Sequence, residues 1–241
     1  AAVPGLLGHN PAFLHLVRRL PQMARYDVAA LVLGETGTGK EVLAQALHYL
    51  SPRAKGPWVA VNCAAIPLEL LEAELFGHVK GAYTHALQSR HGLIHEAEGG
   101  TLFLDEIDSL PYGAQAKLLR FLQARQYRPV GANGLVTADV RVVAASNRDL
   151  EALVAQGGFR QDLLFRLNVL QLRLPPLRER MDDVPLLARH FLATAARTWQ
   201  LPARSITPAA LQLLQRHAWP GNVRELRNVV ERAVLMSGAE H

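Results

Sequence analysis

The chain has 241 residues, 49% of them hydrophobic and 20% charged, with a formal net charge of +5. That length and apolar fraction suffice for a substantial core split into one large and one small domain, and the apolar runs are too short to span a bilayer. Cys63 is the only cysteine, which excludes an internal disulfide, and the first residues lack the features of a secretion signal, so a soluble cytoplasmic protein is expected.

In chain order, residues 1–11 read as a linker remnant broken by Pro4, Gly5, Gly8, Asn10 and Pro11. Residues 28–33 form an apolar strand, and Val42, Leu43, Ala46, Leu47 and Leu50 mark the apolar face of a helix. Between them lies Gly34-Glu35-Thr36-Gly37-Thr38-Gly39-Lys40-Glu41. The spacing of Gly34, Gly39 and Lys40 lets a tight loop turn its amides toward phosphates, with Lys40 reaching the outer ones, so the chain is expected to bind a nucleoside triphosphate. Such a loop ordinarily ends in Ser or Thr, whose hydroxyl holds Mg²⁺. Here Glu41 stands in that place, so either the ion is held from elsewhere or Glu41 acts through a bound water.

A strand at 58–61 leads to Asn62 and to Cys63, which reads as an inert buried thiol. His78, His85, His91 and His95 raise a metal question. His91 and His95 have helical i, i+4 spacing, but Gly92 interrupts the helix and no Cys or paired acid completes a shell, so no metal is expected there. A strand at 102–104 delivers Asp105 and Glu106 at its end, where open α/β sheets bind ligands. Asp105 is assigned to Mg²⁺ and Glu106 to polarising the attacking water.

Residues 114–123 form a crossover helix with Ala114, Leu118, Phe121 and Leu122 on one face. Asn133-Gly134 predicts a tight turn in a protruding hairpin over 127–136. Further strands follow at 140–145, with Asn147 just beyond, and at 169–172. After Pro175-Pro176 helices dominate, at 183–196, 208–217 and 223–236. The last is expected to be capped by Asn222 with Glu225 three residues on, and to pack Val223, Leu226, Val229, Val230 and Val234 inward. The alternation argues for a mainly parallel sheet with helices on both faces over 12–174, then a small helical domain over 175–241. The arginines are scattered and form no zinc-finger or basic-zipper pattern, so these residues are not expected to read DNA themselves.

Taken together, these blocks resemble the bacterial enhancer-binding proteins, AAA+ ATPases of the nitrogen regulatory protein C family that activate sigma-54 RNA polymerase. The resemblance rests on the phosphate loop, where Glu41 is typical of the group, and on Val61-Asn62-Cys63-Ala64-Ala65 and Glu74-Leu75-Phe76-Gly77-His78. It continues through Gly99-Gly100-Thr101-Leu102-Phe103-Leu104-Asp105-Glu106, Leu174-Pro175-Pro176-Leu177-Arg178-Glu179-Arg180 and Trp219-Pro220-Gly221-Asn222-Val223-Arg224-Glu225-Leu226. It implies an AAA+ P-loop three-layer α/β/α domain with a small all-helical lid. It also implies ATP and Mg²⁺ at subunit junctions of a homo-oligomeric ring, commonly a hexamer.

By the same resemblance, Arg160 and Arg166 become fingers reaching a neighbour's ATP, Asn147 the γ-phosphate sensor, and Arg224 the lid arginine at the nucleotide. Asn62 becomes a switch that pairs with Glu106. Read locally, Asn147 instead caps the helix at Asp149, Arg224 faces solvent, and Asn62 starts a turn. Gly81-Ala82-Tyr83-Thr84-His85-Ala86 matches the family loop Gly-Ala-Phe-Thr-Gly-Ala that grips the sigma factor, except that Tyr83 replaces Phe and His85 replaces Gly. Either the loop still grips sigma-54 with an altered shape, or the protein is a nucleotide-dependent regulatory or assembly module with another partner. A sensory domain and a DNA-binding domain are expected outside this chain.

Overall fold

A computed structural model describes residues 5–82, 88–201 and 205–236. The described residues form two compact units, one of residues 5–19, 34–42, 174–201 and 205–236 and the other of 20–33, 43–82 and 88–173. In chain order the elements begin with α1 (Pro11–Ala24), β1 (Ala30–Leu33), α2 (Lys40–Tyr49), β2 (Trp58–Asn62), α3 (Leu68–Phe76), α4 (Leu93–Glu96), β3 (Thr101–Asp105) and α5 (Tyr112–Ala124). They continue with β4 (Gln126–Tyr127), β5 (Val136–Thr137), β6 (Arg141–Ser146), α6 (Leu150–Ala155), α7 (Gln161–Leu167), β7 (Leu170–Arg173), α8 (Val184–Thr198), α9 (Pro208–Arg216) and α10 (Asn222–Met236).

Within the larger unit, five strands form a parallel sheet in the order β2-β3-β6-β1-β7. The middle strands β3 and β6 are buried almost throughout, as expected when helices cover both faces of a parallel sheet. Alternate side chains divide between the faces. Leu102, Leu104, Val142 and Ala144 join Leu71, Phe76, Leu118, Phe121 and Leu163 in one core. On the other face Phe103 stacks on Trp58 at 5.5 Å, and buried His48 on α2 meets the Thr101 hydroxyl at 2.9 Å. The register sets Asn62 beside Asp105 and Leu33 beside Ser146, so the carboxyl ends of four strands share one sheet edge.

The smaller unit packs Leu177, Val184, Leu187, Ala188, Trp219, Leu226 and Val230 into a core of its own. Its helices carry the expected local signals. Asn10 Oδ1 accepts the amides of Ala12 and Phe13 at the start of α1, and Thr207 Oγ1 accepts the amide of Ala210 ahead of α9, whose first residue is Pro208.

Three local expectations change. The hairpin forms as β4 against β5, with Gln126 opposite Thr137, but its turn is not a tight Asn-Gly turn. The positive φ falls at Gly131 (78°) and not at Asn133 or Gly134, whereas the type I′ turn that Asn-Gly favours needs it at both central positions. The reason is that Val130 pairs elsewhere: its amide donates to the Gly77 carbonyl at 2.8 Å and its carbonyl accepts the Val79 amide at 3.1 Å. Asn222 does not cap α10, because its side chain is committed to other segments. Glu225 instead accepts the Gly221 amide at 2.7 Å. On α10, Leu226, Val230 and Val234 are buried, while Val229 is 42% exposed.

Candidate active site

In the smaller unit the loop after β1 turns left-handed at Gly37 (φ 80°) and Gly39 (φ 100°), backbone conformations that favour glycine. A side chain at Gly39 would project into open space, while one at Gly37 would lie 2.2 Å from the Gly221 carbonyl. Thr38 donates its hydroxyl to the Glu35 carbonyl at 2.8 Å, tightening the loop. Lys40, almost fully buried at the start of α2, donates its ammonium to the carbonyls of Gly34 (2.8 Å) and Glu35 (3.1 Å). A lysine folded along a loop with one open, side-chain-free turn is a fit for a polyphosphate. Glu41 is exposed in the first turn of α2, where the helix dipole also favours a carboxylate.

The same loop is held by Arg178, to which the sequence assigned no role, and by Asn222, expected there only as a helix cap. Arg178 grips the Glu35 carboxylate with two hydrogen bonds, at 2.8 and 2.6 Å. Asn222, fully buried with φ 53°, donates Nδ2 to the Thr36 carbonyl at 3.0 Å and to Glu35 at 3.2 Å, while its Oδ1 accepts the Leu177 amide at 2.7 Å. The Arg178 hydrogen bond, then that of Asn222, holds the Glu35 carboxyl below its ordinary value. Glu35 thus joins the loop through its backbone, its carboxylate being engaged on the lid side. The Arg224 amide donates to the Gly37 carbonyl at 3.2 Å, while its side chain is exposed. The sequence motif around Arg178 and Asn222 was visible, but nothing local says which segment they reach.

In the larger unit, Asp105 ends β3 and accepts the Glu106 amide at 3.0 Å. Glu106 is left-handed (φ 52°), an uncommon conformation for a residue with a side chain, of the kind that collects at functional sites. Asp105 offers a hard, part-buried carboxylate, the donor type that suits Mg²⁺. Asn62, beside it on β2, accepts the Ala64 amide at 2.9 Å, which is the turn-starting role its local pattern predicts. Cys63 is fully buried; burial first, then Asp105, Asp108 and Glu106, push its thiol up to about 12, so it stays protonated and inert. Asn147 is exposed just past β6, and the cap of α6 is Asp149, which accepts the amides of Glu151 and Ala152. Asp108 accepts the hydroxyl of buried Ser146 at 2.9 Å, linking the β3 and β6 ends.

Arg160 precedes α7. Its guanidinium forks onto Asp162 at 3.0 and 2.8 Å and lies over the Tyr112 ring at 5.3 Å. Its backbone amide donates to Gln115 Oε1 at 2.9 Å. Arg166 is exposed in the last turn of the same helix, near Phe165, which is 70% exposed. The sequence carries no local signal for the polar side chains around Arg160, since Gln115 and Tyr112 look like ordinary positions of an amphipathic helix.

Gly81 and Ala82 lie in the described residues, Gly81 with φ 81°; Tyr83, Thr84, His85 and Ala86 lie outside them. The loop starts from a backbone tie in which His78 exchanges both hydrogen bonds with Arg90, at 3.0 and 2.9 Å. The rings of His91 and His95 stack on each other at 4.1 Å, and among the described residues no group of three metal-binding side chains gathers. No helix among them is long and apolar enough to cross a membrane.

A parallel five-stranded sheet followed by a helical lid, with a phosphate-type loop and an acid pair after a strand, defines an AAA+ ATPase domain. The chain belongs to the sigma-54 interaction domain family, whose description matches residues 6–173, and residues 178–241 match the AAA+ ATPase lid domain. It is 50% identical over 232 residues to the regulatory protein AtoC of Escherichia coli, covering 96% of this chain and 50% of that protein. It is 50% identical over 235 residues to the DNA-binding transcriptional regulator NtrC of Azospirillum brasilense, covering 98% and 49%. The chain therefore spans about half the length of these relatives. The crystal structure of NtrX from Brucella abortus in complex with ATP superposes with a TM-score of 0.91 at 38% identity, covering 96% of this chain and 50% of that one.

Proposed function

We propose that this domain hydrolyses ATP within a homo-oligomeric ring, commonly a hexamer, and uses the energy to remodel sigma-54 RNA polymerase so that promoters open. The observation that carries the reading is the Lys40 ammonium on the Gly34 and Glu35 carbonyls of a loop that turns left-handed at Gly37 and Gly39. Family membership and the ATP complex of NtrX support it.

In this reading Gly34 to Glu41 is the Walker A loop and Asp105 with Glu106 the Walker B pair. The loop amides and Lys40 hold the β- and γ-phosphates. Asp105 would hold Mg²⁺, which supplies charge neutralisation on the phosphate oxygens. Glu106 orients and polarises the attacking water, Asn147 senses the γ-phosphate, and Arg224 contacts nucleotide from the lid. Asn62 exchanges its Ala64 contact for Glu106 in another nucleotide state. Arg160 and Arg166 act on the neighbouring subunit's ATP, where a guanidinium is worth about 10³ to 10⁵ in rate. That is about 4 to 7 kcal/mol of barrier.

The functional division is a linker over 1–11, a nucleotide-binding domain over 12–174 and a lid over 175–241. Gly81 to Ala86 is the partner loop, with Tyr83 and Thr84 as its grip. DNA contact belongs to a domain outside this chain, and the named roles of AtoC and NtrC as regulators agree with a cytoplasmic protein. The test is transcription from a sigma-54 promoter with purified protein and ATP, native against Thr84→Ala. Loss of open complexes with ATP turnover intact is expected, and unchanged transcription removes the loop from the mechanism.

His85 favours a second reading, because it stands where the family loop has Gly, and a Cβ there is costly if the position takes φ > 0. Here the domain uses ATP to set its assembly while acting on another partner, such as polymerase with a different sigma factor. Absence of binding to purified sigma-54 with an ATP transition-state mimic, while hydrolysis persists, would select this reading.

A further inference from the structure

The Gln115 side chain, fully buried near the start of α5, has every polar atom engaged. Its Nε2 donates to the Leu110 carbonyl at 2.9 Å and to the Gly158 carbonyl at 3.2 Å, and its Oε1 accepts the Arg160 amide at 2.9 Å. Leu110 closes the short turn that opens at Glu106: the Glu106 carbonyl accepts the Ser109 amide at 2.9 Å, and the Ile107 carbonyl accepts the Leu110 amide at 3.1 Å. One buried amide therefore joins the turn that carries the water-activating acid to the backbone that presents Arg160.

We propose that Gln115 is a positioning residue that ties the arginine a subunit offers its neighbour to the turn bearing its own Glu106, so that each subunit's site state sets the finger it presents. The proposal rests on Arg160 acting in trans.

The physical reason is the cost of breaking a buried hydrogen bond. A shift of the Glu106–Leu110 turn either carries the Gly158–Arg160 backbone with it or leaves buried carbonyl and amide groups unpaired, and the second is disfavoured. Tyr112, one turn before Gln115 on the same helix, lies beneath the Arg160 guanidinium, so α5 holds both ends of that residue. Misplacing a catalytic group by about 1 Å costs on the order of 10²-fold in rate, so a single amide can govern the finger without touching nucleotide.

Proximity of two loops does not by itself establish coupling, so the test separates the subunit that lends the finger from the one that hydrolyses. Gln115→Met removes the polar contacts at near-constant volume. Alone, it is expected to bind ATP like the native protein and to turn it over about 10²-fold more slowly. Mixed with Glu106→Gln subunits, which cannot hydrolyse but carry native fingers, its own sites are expected to recover turnover several-fold above either variant alone. Arg160→Ala mixed with Glu106→Gln is run alongside. Native turnover by Gln115→Met alone overturns the proposal, as does failure of its rescue where Arg160→Ala is rescued, since Gln115 would then act on its own site. If neither is rescued, the trans role of Arg160 fails, and this inference with it. Gln115→Glu, which keeps the acceptor for the Arg160 amide, carries the same test if the methionine variant loses its cooperative melting transition.

Discussion

Asn222 Nδ2 donates to the carbonyl of Thr36 at 3.0 Å, so the first residue of α10 holds the middle of the loop that follows β1. The same side chain accepts the Leu177 amide at 2.7 Å, and its backbone is left-handed at φ 53°. Three segments thus depend on one amide group.

Replacing Asn222 with Ala leaves the Leu177 amide without its acceptor, which costs about 1 to 3 kcal/mol. The backbone adds less, because Asn already carries a Cβ at this left-handed position and tolerates it better than Ala does. Urea denaturation is expected to show a loss of about 1 to 3 kcal/mol for Asn222→Ala, with Asn222→Gly recovering only the backbone part. A change below about 0.5 kcal/mol would mean that the amide is dispensable.

Asp183 offers a second test. It is fully buried, paired with Arg180 at 2.7 Å, and it accepts the Asn10 amide at 3.0 Å as well as that of His9. Arg180 also donates to the Leu7 carbonyl at 2.7 Å and lies over the Phe13 ring at 3.8 Å. Asp183→Ala strands a buried guanidinium, so a loss of about 3 to 5 kcal/mol in chemical denaturation is expected. Asp183→Leu should be no better, because Arg180 remains unpaired in it.

The Glu35–Arg178 pair predicts a pH signature. The Glu35 pKa is lowered from an ordinary value of 4.5, chiefly by the Arg178 hydrogen bond, so folding holds its carboxylate in the charged form. The stabilisation is complete above pH 4.5 and disappears as pH falls through the lowered folded value. Both side chains are well exposed, at 49% and 42%, so solvent screens the pair and its contribution to stability is small. The stability gap between the native protein and Glu35→Gln is expected to narrow as pH falls from neutral into and below the usual carboxylate range. A gap that widens in acid would contradict this sign.

For the chemistry, Glu106→Gln is expected to keep ATP while slowing hydrolysis by at least about 10²-fold, because the amide cannot accept the water's proton. Lys40→Ala removes the ammonium that lies on the Gly34 and Glu35 carbonyls and should weaken ATP binding itself. A fluorescent ATP analogue titrated against both variants distinguishes them. Equal affinity in the two would sever Lys40 from the phosphates.

Much of this was readable in the sequence because its signals are local. The strand before Gly34 and the strand before Asp105 appear as short apolar runs, and the sheet forms with those runs as β1 and β3. The core face of α5 was legible at Ala114, Leu118 and Phe121, which are buried as their helical spacing requires. Gln115, on the same helix, gave no such signal, since an amide in a helix is usually solvated and its value here comes from Gly158 and Arg160. The Asn-Gly hairpin signal failed at the turn because Val130 found partners at Gly77 and Val79, outside the hairpin.

By itself, the sequence determined the five strands of the sheet, several of the helices, the glycine-lysine loop after β1 and the acid pair after β3, because each is set by spacing within a few residues and by the steric demands of glycine. Only the tertiary structure decided that Asn222 holds Thr36 instead of capping its own helix, that Arg178 occupies the Glu35 carboxylate, and that Gln115 joins Leu110 to Arg160. Those bonds link residues far apart along the chain. A polar side chain commits to whichever unpaired backbone group burial brings within reach, and that proximity has no signature in the neighbouring residues.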